Sequence, residues 1–159
     1  MRNKYGKIFQ NVQSRELECF PYDPQQDYYA MVQEHIRNGY HQTIFTSSVM
    51  LSLAEHFLLT HTAVITGIEF VSEDTELEDE IRSILAQMTN NGAYWEVLKK
   101  RLEFLSRYDS IDIKKVKIRC NQEAGFLATL QLNGIVIVSQ NVYDAVTQEI
   151  KMVVGRVIN

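Results

Sequence analysis

The spacing of apolar residues changes along the chain, and this change constrains the fold more than any other feature of the sequence. Between residues 28 and 105, apolar side chains recur mostly every three or four positions, as on the buried face of an amphipathic helix. Over residues 63–71 and again beyond residue 110, they alternate with polar residues, as in a strand. Helices that are segregated from strands along a chain are typical of an α+β fold with a mostly antiparallel sheet.

Four strands are predicted, near residues 63–71, 111–120, 125–132 and 135–139. The alternation slips by one residue at Lys114-Lys115, which predicts a β-bulge. Asn133-Gly134 separates the last two strands, and this dipeptide favours a two-residue hairpin turn because both positions tolerate a positive φ. In that hairpin Leu132 would face Ile135.

Helices are predicted on both sides of the first strand and at the end of the chain. Thr75, followed by Glu78, has the form of a capping box and predicts a helix start. Residues 142–157 fit a helix or a closing strand, and we predict a helix. Residues 1–24 contain Pro21 and Pro24 and are predicted to be irregular.

The length of the chain is typical of one domain, and its net charge is slightly negative. The 159 residues are predicted to form a single globular domain over 1–159. Sixteen basic and 20 acidic residues leave a formal charge of −4, which provides no general attraction for nucleic acids. The absence of a leader-like start or a long apolar run predicts no membrane association, and two isolated cysteines, Cys19 and Cys120, are typical of a cytoplasmic protein.

The motifs of common enzyme classes are missing. The glycines stand singly, so no phosphate-binding loop is present, and there is no G-x-S-x-G turn. We therefore predict no catalytic residue and no cofactor, and lean towards a protein that is not an enzyme.

The histidines lack a metal-binding spacing. His56 and His61 are five residues apart, which on a helix turns the second side chain by roughly 140°. Zinc peptidases need two histidines one turn apart, so we predict no metal site and place these histidines at surfaces or helix ends. A joint site with His35 or His41 stays open, as does an enzyme with an unrecognised pocket in which one of these histidines or a carboxylate acts as the base.

Two groups of residues are candidates for binding a protein partner. The first is an acidic run without an intervening base, in which carboxylates compensate a helix dipole or dock a basic partner. The second consists of tyrosines near two prolines, a residue type common at interfaces. The candidate residues are Glu73, Asp74, Glu76, Asp79, Glu80, Tyr22, Tyr28 and Tyr29.

Half of the basic residues lie in the stretch 99–119. They are Lys99, Lys100, Arg101, Arg107, Lys114, Lys115, Lys117 and Arg119. A basic helix followed by a hairpin resembles, in outline, the recognition helix and wing of winged-helix DNA-binding proteins, and such residues would contact phosphates.

These observations support three hypotheses. The first is a small interaction or regulatory protein that acts through protein–protein contacts. The alternatives are a nucleic-acid-binding protein that uses residues 99–119 and the enzyme with an unrecognised pocket. The sequence does not indicate an oligomeric state.

Overall fold

A computed structural model of the protein describes residues 2–122 and 125–159. Its strands are β1 (Asn3–Asn11), β2 (Leu17–Tyr22), β3 (Tyr40–Gln42), β4 (Val64–Phe70), β5 (Ile113–Cys120), β6 (Phe126–Gln131) and β7 (Ile135–Ser139). Its α-helices are α1 (Tyr28–Arg37), α2 (Ser47–His61), α3 (Thr75–Asn90), α4 (Tyr94–Tyr108) and α5 (Tyr143–Ile158).

The strands form one sheet in the order β2-β1-β7-β6-β5-β4, and β3 pairs with β1 beside this path. Every pairing is antiparallel. Five helices pack on this antiparallel sheet, so the predicted α+β class with a mostly antiparallel sheet is confirmed.

The two faces of the sheet are covered differently. Buried residues of α2, α3, α4 and α5 pack with one face of the sheet in the main core, which includes Ile8 of β1. The next residue, Phe9, points to the opposite face and packs in a small cluster with Met31 and Val32 of α1. On that second face, Lys117 and Arg119 of β5 are exposed. Four of the five helices therefore build the main core with one face of the sheet, while α1 covers part of the other.

The expectation of an irregular segment over residues 1–24 is wrong, because this segment contributes β1 and β2. Ile8 and Phe9 are both fully buried, since β1 lies between the main core and α1. A strand that is covered on both faces shows no alternation in its sequence. Pro21 is accommodated because β2 is an edge strand, where a missing N–H costs no ladder hydrogen bond.

The four predicted strands are confirmed with small changes at their ends, and one register differs. Lys114 is the extra residue of the predicted bulge, since Glu69 pairs with Lys115 while Phe70 pairs with Ile113. In the last hairpin, however, Leu130 pairs with Val136, so Leu132 does not face Ile135.

The turn of that hairpin has three residues instead of two. The Gly134 N–H donates to the Gln131 carbonyl at 2.9 Å, and Gly134 has a φ of +80°. A three-residue loop with glycine in the left-handed position shifts the register by one residue relative to a two-residue turn.

The predicted C-terminal helix is confirmed as α5. The start of α3 is also confirmed, but its N-cap is Asp74, whose side chain accepts a hydrogen bond from the Leu77 N–H. Thr75 is instead the first helical residue. Among the helices that the structure describes, none is both long and apolar enough to cross a membrane.

Candidate metal centre

The last turns of α2 carry His56 and His61. His61 is the final helical residue, and Thr62 follows it in the left-handed conformation with a φ of 52°. The Thr62 N–H donates to the Phe57 carbonyl and closes the helix. Both imidazoles lie against the ring of Phe57, at centroid distances of 5.2 and 5.6 Å. The helix end therefore leaves both rings beside a buried aromatic residue.

Both imidazoles meet the carboxylate of Glu149 on α5. His56 Nε2 lies 3.1 Å from Oε1, and His61 Nε2 lies 2.8 Å from Oε1 and 2.9 Å from Oε2. The five-residue spacing turns the two histidines in different directions on α2, but it does not keep them apart, because both side chains reach the same carboxylate. The carboxylate lies between the two rings, whose centroids are 6.2 Å apart, and side-chain reach compensates for the helical rotation.

The packing of α5 against α2 sets the position of Glu149. Ile150 and Val146 of α5 are buried in the main core beside Phe57 of α2. Because residues one and three positions away are anchored there, Glu149 lies at the margin of the buried face. Its side chain is 26% exposed, and those of His56 and His61 are 16% and 29% exposed.

The electrostatics of the cluster favour the ionised carboxylate. Burial raises the pKa of Glu149, but hydrogen bonds and charge interactions with His61 and His56 outweigh burial and hold the pKa below its usual range. A carboxylate that stays ionised in a half-buried position is suited to bind a cation.

The three side chains have the composition of a transition-metal site, and they lie close enough together to hold an ion. One ligand atom from each lies within 4.8 Å of the others. Zinc binds histidine nitrogen and carboxylate oxygen at about 2.0–2.2 Å, which places neighbouring ligand atoms roughly 3.4 Å apart. Small side-chain movements would reach that separation. Binding through Nε2 also requires that nitrogen to be unprotonated, so that each neutral ring carries its proton on Nδ1.

A cleft of about 550 Å³ adjoins two of these residues, His61 and Glu149. Phe126 and Val146 contribute apolar walls, and the Cys120 thiol donates to the carbonyl of His61 at 3.3 Å. A zinc ion with three protein ligands keeps its fourth position for water or another ligand. The cleft provides room for such a ligand.

Glu55, the neighbour of His56, does not belong to this cluster. Its carboxylate accepts hydrogen bonds from Trp95 Nε1 at 3.0 Å and from Lys99 Nζ at 3.1 Å. It is therefore engaged between α2 and α4 and does not serve as a base beside the histidines.

The other two histidines lie elsewhere. His35 stacks on Phe20 at a centroid distance of 4.2 Å, in the cluster under α1. His41 is exposed on β3. The joint site of these residues with His56 or His61, which the sequence leaves open, is therefore not formed.

The predicted partner-binding residues divide into two surfaces. The five carboxylates are exposed at the end of β4 and the start of α3, whereas the three tyrosines belong to β2 and α1. β2 and β4 are opposite edges of the sheet, so the acidic residues and the tyrosines do not meet. Within the acidic group, Asp74 caps α3 and Glu80 pairs with Arg101 at 2.6 Å.

The predicted nucleic-acid-binding residues also divide. Lys99, Lys100, Arg101 and Arg107 belong to α4, which packs on the main core. Lys117 and Arg119 alternate with buried residues of β5 and so point to the opposite face of the sheet. Several of the bases are also paired, as Lys99 is with Glu55 at 3.1 Å.

No family model matches the chain, and neither the curated proteins nor the solved structures contain a match.

Sequence reasoning missed Glu149, because it lies 88 residues from His61 and is one of many carboxylates. The signal that was available is its place beside the apolar stripe of α5, at Val146 and Ile150. An acidic residue at the margin of a buried helix face needs a polar partner from the neighbouring element.

Proposed function

We propose that the protein is a small regulatory protein that binds a divalent transition-metal ion, zinc in the first place, through His56, His61 and Glu149. The observation that carries this proposal is the convergence of two imidazoles from α2 on one carboxylate from α5. Two histidines and one carboxylate form an established zinc-ligand set.

The placement of the ligands supports a regulatory role. His56 and His61 belong to one helix and Glu149 to another, so a bound ion would cross-link α2 and α5. Any ligand that binds only the folded chain raises the free energy of unfolding, by about 2.7 kcal/mol at a concentration one hundred times its Kd. Metal concentration would thus change the stability of the α2–α5 contact. Glu55, the carboxylate next in sequence, is held by Trp95 and Lys99, which favours binding over hydrolytic catalysis.

The test is a titration of the metal-stripped chain with Zn²⁺ by calorimetry and with Co²⁺ by visible absorption. We expect one ion per chain and the intense d–d bands of a four-coordinate cobalt site. H61A and E149Q should each weaken zinc binding at least tenfold, because each removes a ligand. H41A is the matched control, since His41 is exposed and lies outside the cluster.

Equal zinc affinity in H61A and H41A would contradict the proposal. So would weak six-coordinate cobalt spectra that the three variants share with the wild-type chain.

A second candidate function is docking of a basic protein partner on the acidic surface, defined as Glu73, Asp74, Glu76, Asp79 and Glu80. The exposure of all five carboxylates favours it. The variant Glu73→Lys/Glu76→Lys reverses two charges that make no ion pair or cap among the described residues. It should reduce capture of a basic partner while lowering the melting temperature only slightly, through the loss of the Glu76 charge in the first turn of α3. Unchanged capture would exclude this surface.

A further inference from the structure

A pocket of about 330 Å³ lies at the side of Trp95, between the end of α2, the start of β4 and the helical pair α3–α4. We call it the Trp95 pocket. Its walls are side chains of α2, β4, α3 and α4, among them Leu58, Ile65, Leu85, Met88 and Trp95. The pocket does not include His56, His61 or Glu149, so it is distinct from the candidate metal centre.

The walls of the Trp95 pocket are mainly apolar. Leu58, Leu85 and Met88 are only partly buried, although they pack against the main core. Leu59 lies in the same lining and is 76% exposed. Apolar surface that stays in water is unfavourable by about 25 cal/mol per Å², so an apolar ligand gains free energy by covering it.

The polar groups of the pocket are already engaged. The indole N–H of Trp95 donates to Glu55, and the Thr89 hydroxyl donates to the Leu85 carbonyl at 3.2 Å. The Thr62 hydroxyl accepts a hydrogen bond from Gln122 at 2.9 Å. No charged side chain of the described residues lines the pocket. A charged ligand would therefore lose its hydration without a counter-charge, and the lining favours an uncharged one.

The volume sets the size of the ligand. Apolar cavities of about 150 Å³ hold benzene, and ligand pockets begin at about 300 Å³. The Trp95 pocket is therefore about twice the benzene-sized cavity. Because its walls come from four elements and form a concavity, a small molecule covers them better than a flat protein surface does.

We propose that the Trp95 pocket binds a small uncharged apolar molecule, the size of a two-ring aromatic compound or a short aliphatic alcohol. The proposal is independent of metal binding.

The experiment uses the only tryptophan of the chain, Trp95, as the reporter. The full chain is titrated with N-phenyl-1-naphthylamine in the presence of a chelator, with excitation of the indole. We expect saturable energy transfer from Trp95 to one probe per chain, because the probe would lie against the ring. 1-Octanol should displace the probe, and octanoate should require at least a tenfold higher concentration because of its charge.

Two variants locate the binding. Thr89 is exposed at the pocket, so T89F should fold and place a ring in the space, weakening probe binding at least tenfold. The matched control is L127F, which enlarges an exposed residue of β6. H61A should bind the probe as the wild-type chain does, which separates this result from the metal titration. The proposal is overturned if energy transfer does not saturate, if octanoate competes as well as octanol, or if T89F and L127F bind the probe equally.

Discussion

His61 Nε2 lies within hydrogen-bonding distance of both oxygens of Glu149, at 2.8 and 2.9 Å, and this contact joins the end of α2 to α5. Since His56 reaches the same carboxylate at 3.1 Å, one side chain of α5 holds two of α2. The contact needs the ionised form of Glu149, so it couples the helix packing to pH.

E149Q should change the acid stability of the protein. The pKa of Glu149 in the folded chain lies below its usual range, and that of the unfolded chain is about 4.3. A carboxylate with a lowered pKa stabilises the folded chain above its unfolded pKa, and this contribution is lost as pH falls through the folded pKa. Urea unfolding should show E149Q less stable by about 1 kcal/mol at pH 7, with the difference shrinking as the pH falls below about 4.3.

Glu103→Gln on the exposed side of α4 is the control for this series and should leave the pH dependence unchanged. A difference between E149Q and wild type that stays constant from pH 7 to pH 3 would rule out the titration of Glu149 as its cause.

The titration of Lys7 should raise the free energy of unfolding in alkaline solution. Its side chain is fully buried, donates to the Asn133 carbonyl and lies near the rings of Phe9 and Tyr28. Burial lowers its pKa to about 8, against about 10.4 in an unfolded chain. Because the unfolded chain then binds the proton more tightly, the contribution of Lys7 to the free energy of unfolding rises between pH 8 and pH 10.

K7M removes this titration. Between pH 7 and pH 10 the free energy of unfolding of wild type should rise relative to that of K7M by up to about 3 kcal/mol. Unfolding in urea across this pH range measures both. K100M, which changes an exposed lysine of α4, should follow the wild-type curve. If the free energies of unfolding of K7M and wild type changed with pH in parallel, burial would not lower the pKa of Lys7.

Gly134 should be intolerant of a side chain. Its φ is +80°, and a Cβ atom there would lie 2.4 Å from the backbone oxygen of Thr43. G134A should therefore lower the free energy of unfolding by about 2 kcal/mol or more. G92A is the matched control, because a Cβ at Gly92 meets open space and φ is not positive. Thermal unfolding should show a loss for G134A alone, and equal losses would refute the steric argument.

Asp74 and Thr75, at the start of α3, should differ in their contribution to stability, because only Asp74 caps the helix. D74A should lower the free energy of unfolding by about 1 kcal/mol, because it leaves the Leu77 N–H without its acceptor. T75A should have a smaller effect, since Thr75 is already helical and alanine favours helix. Denaturant unfolding measures the loss of stability in each variant. A larger loss for T75A than for D74A would show that Thr75 is the N-cap, as the capping-box pattern in the sequence suggests.

The proposed metal centre could not be predicted from local sequence patterns. The spacing of His56 and His61 correctly describes two directions on one helix, but it contains no information about what lies between them. Glu149 enters that space only because Val146 and Ile150 pack α5 beside Phe57 of α2. A site assembled from two helices depends on their packing, which no local pattern specifies.

Local patterns determined much of the fold. The helical stripes, the alternation in β5 and β6 and the phase slip at Lys114 are each set by neighbours in sequence, so the α+β class and the bulge follow from the sequence alone. The C-terminal segment fits a helix or a strand by its sequence, and the tertiary structure shows the helix α5. Only the tertiary structure decided that β1 and β2 form near the start of the chain, that β1 is buried on both faces, and that the histidines of α2 meet Glu149. These features arise from long-range contacts, in which residues far along the chain cover and pair with a segment.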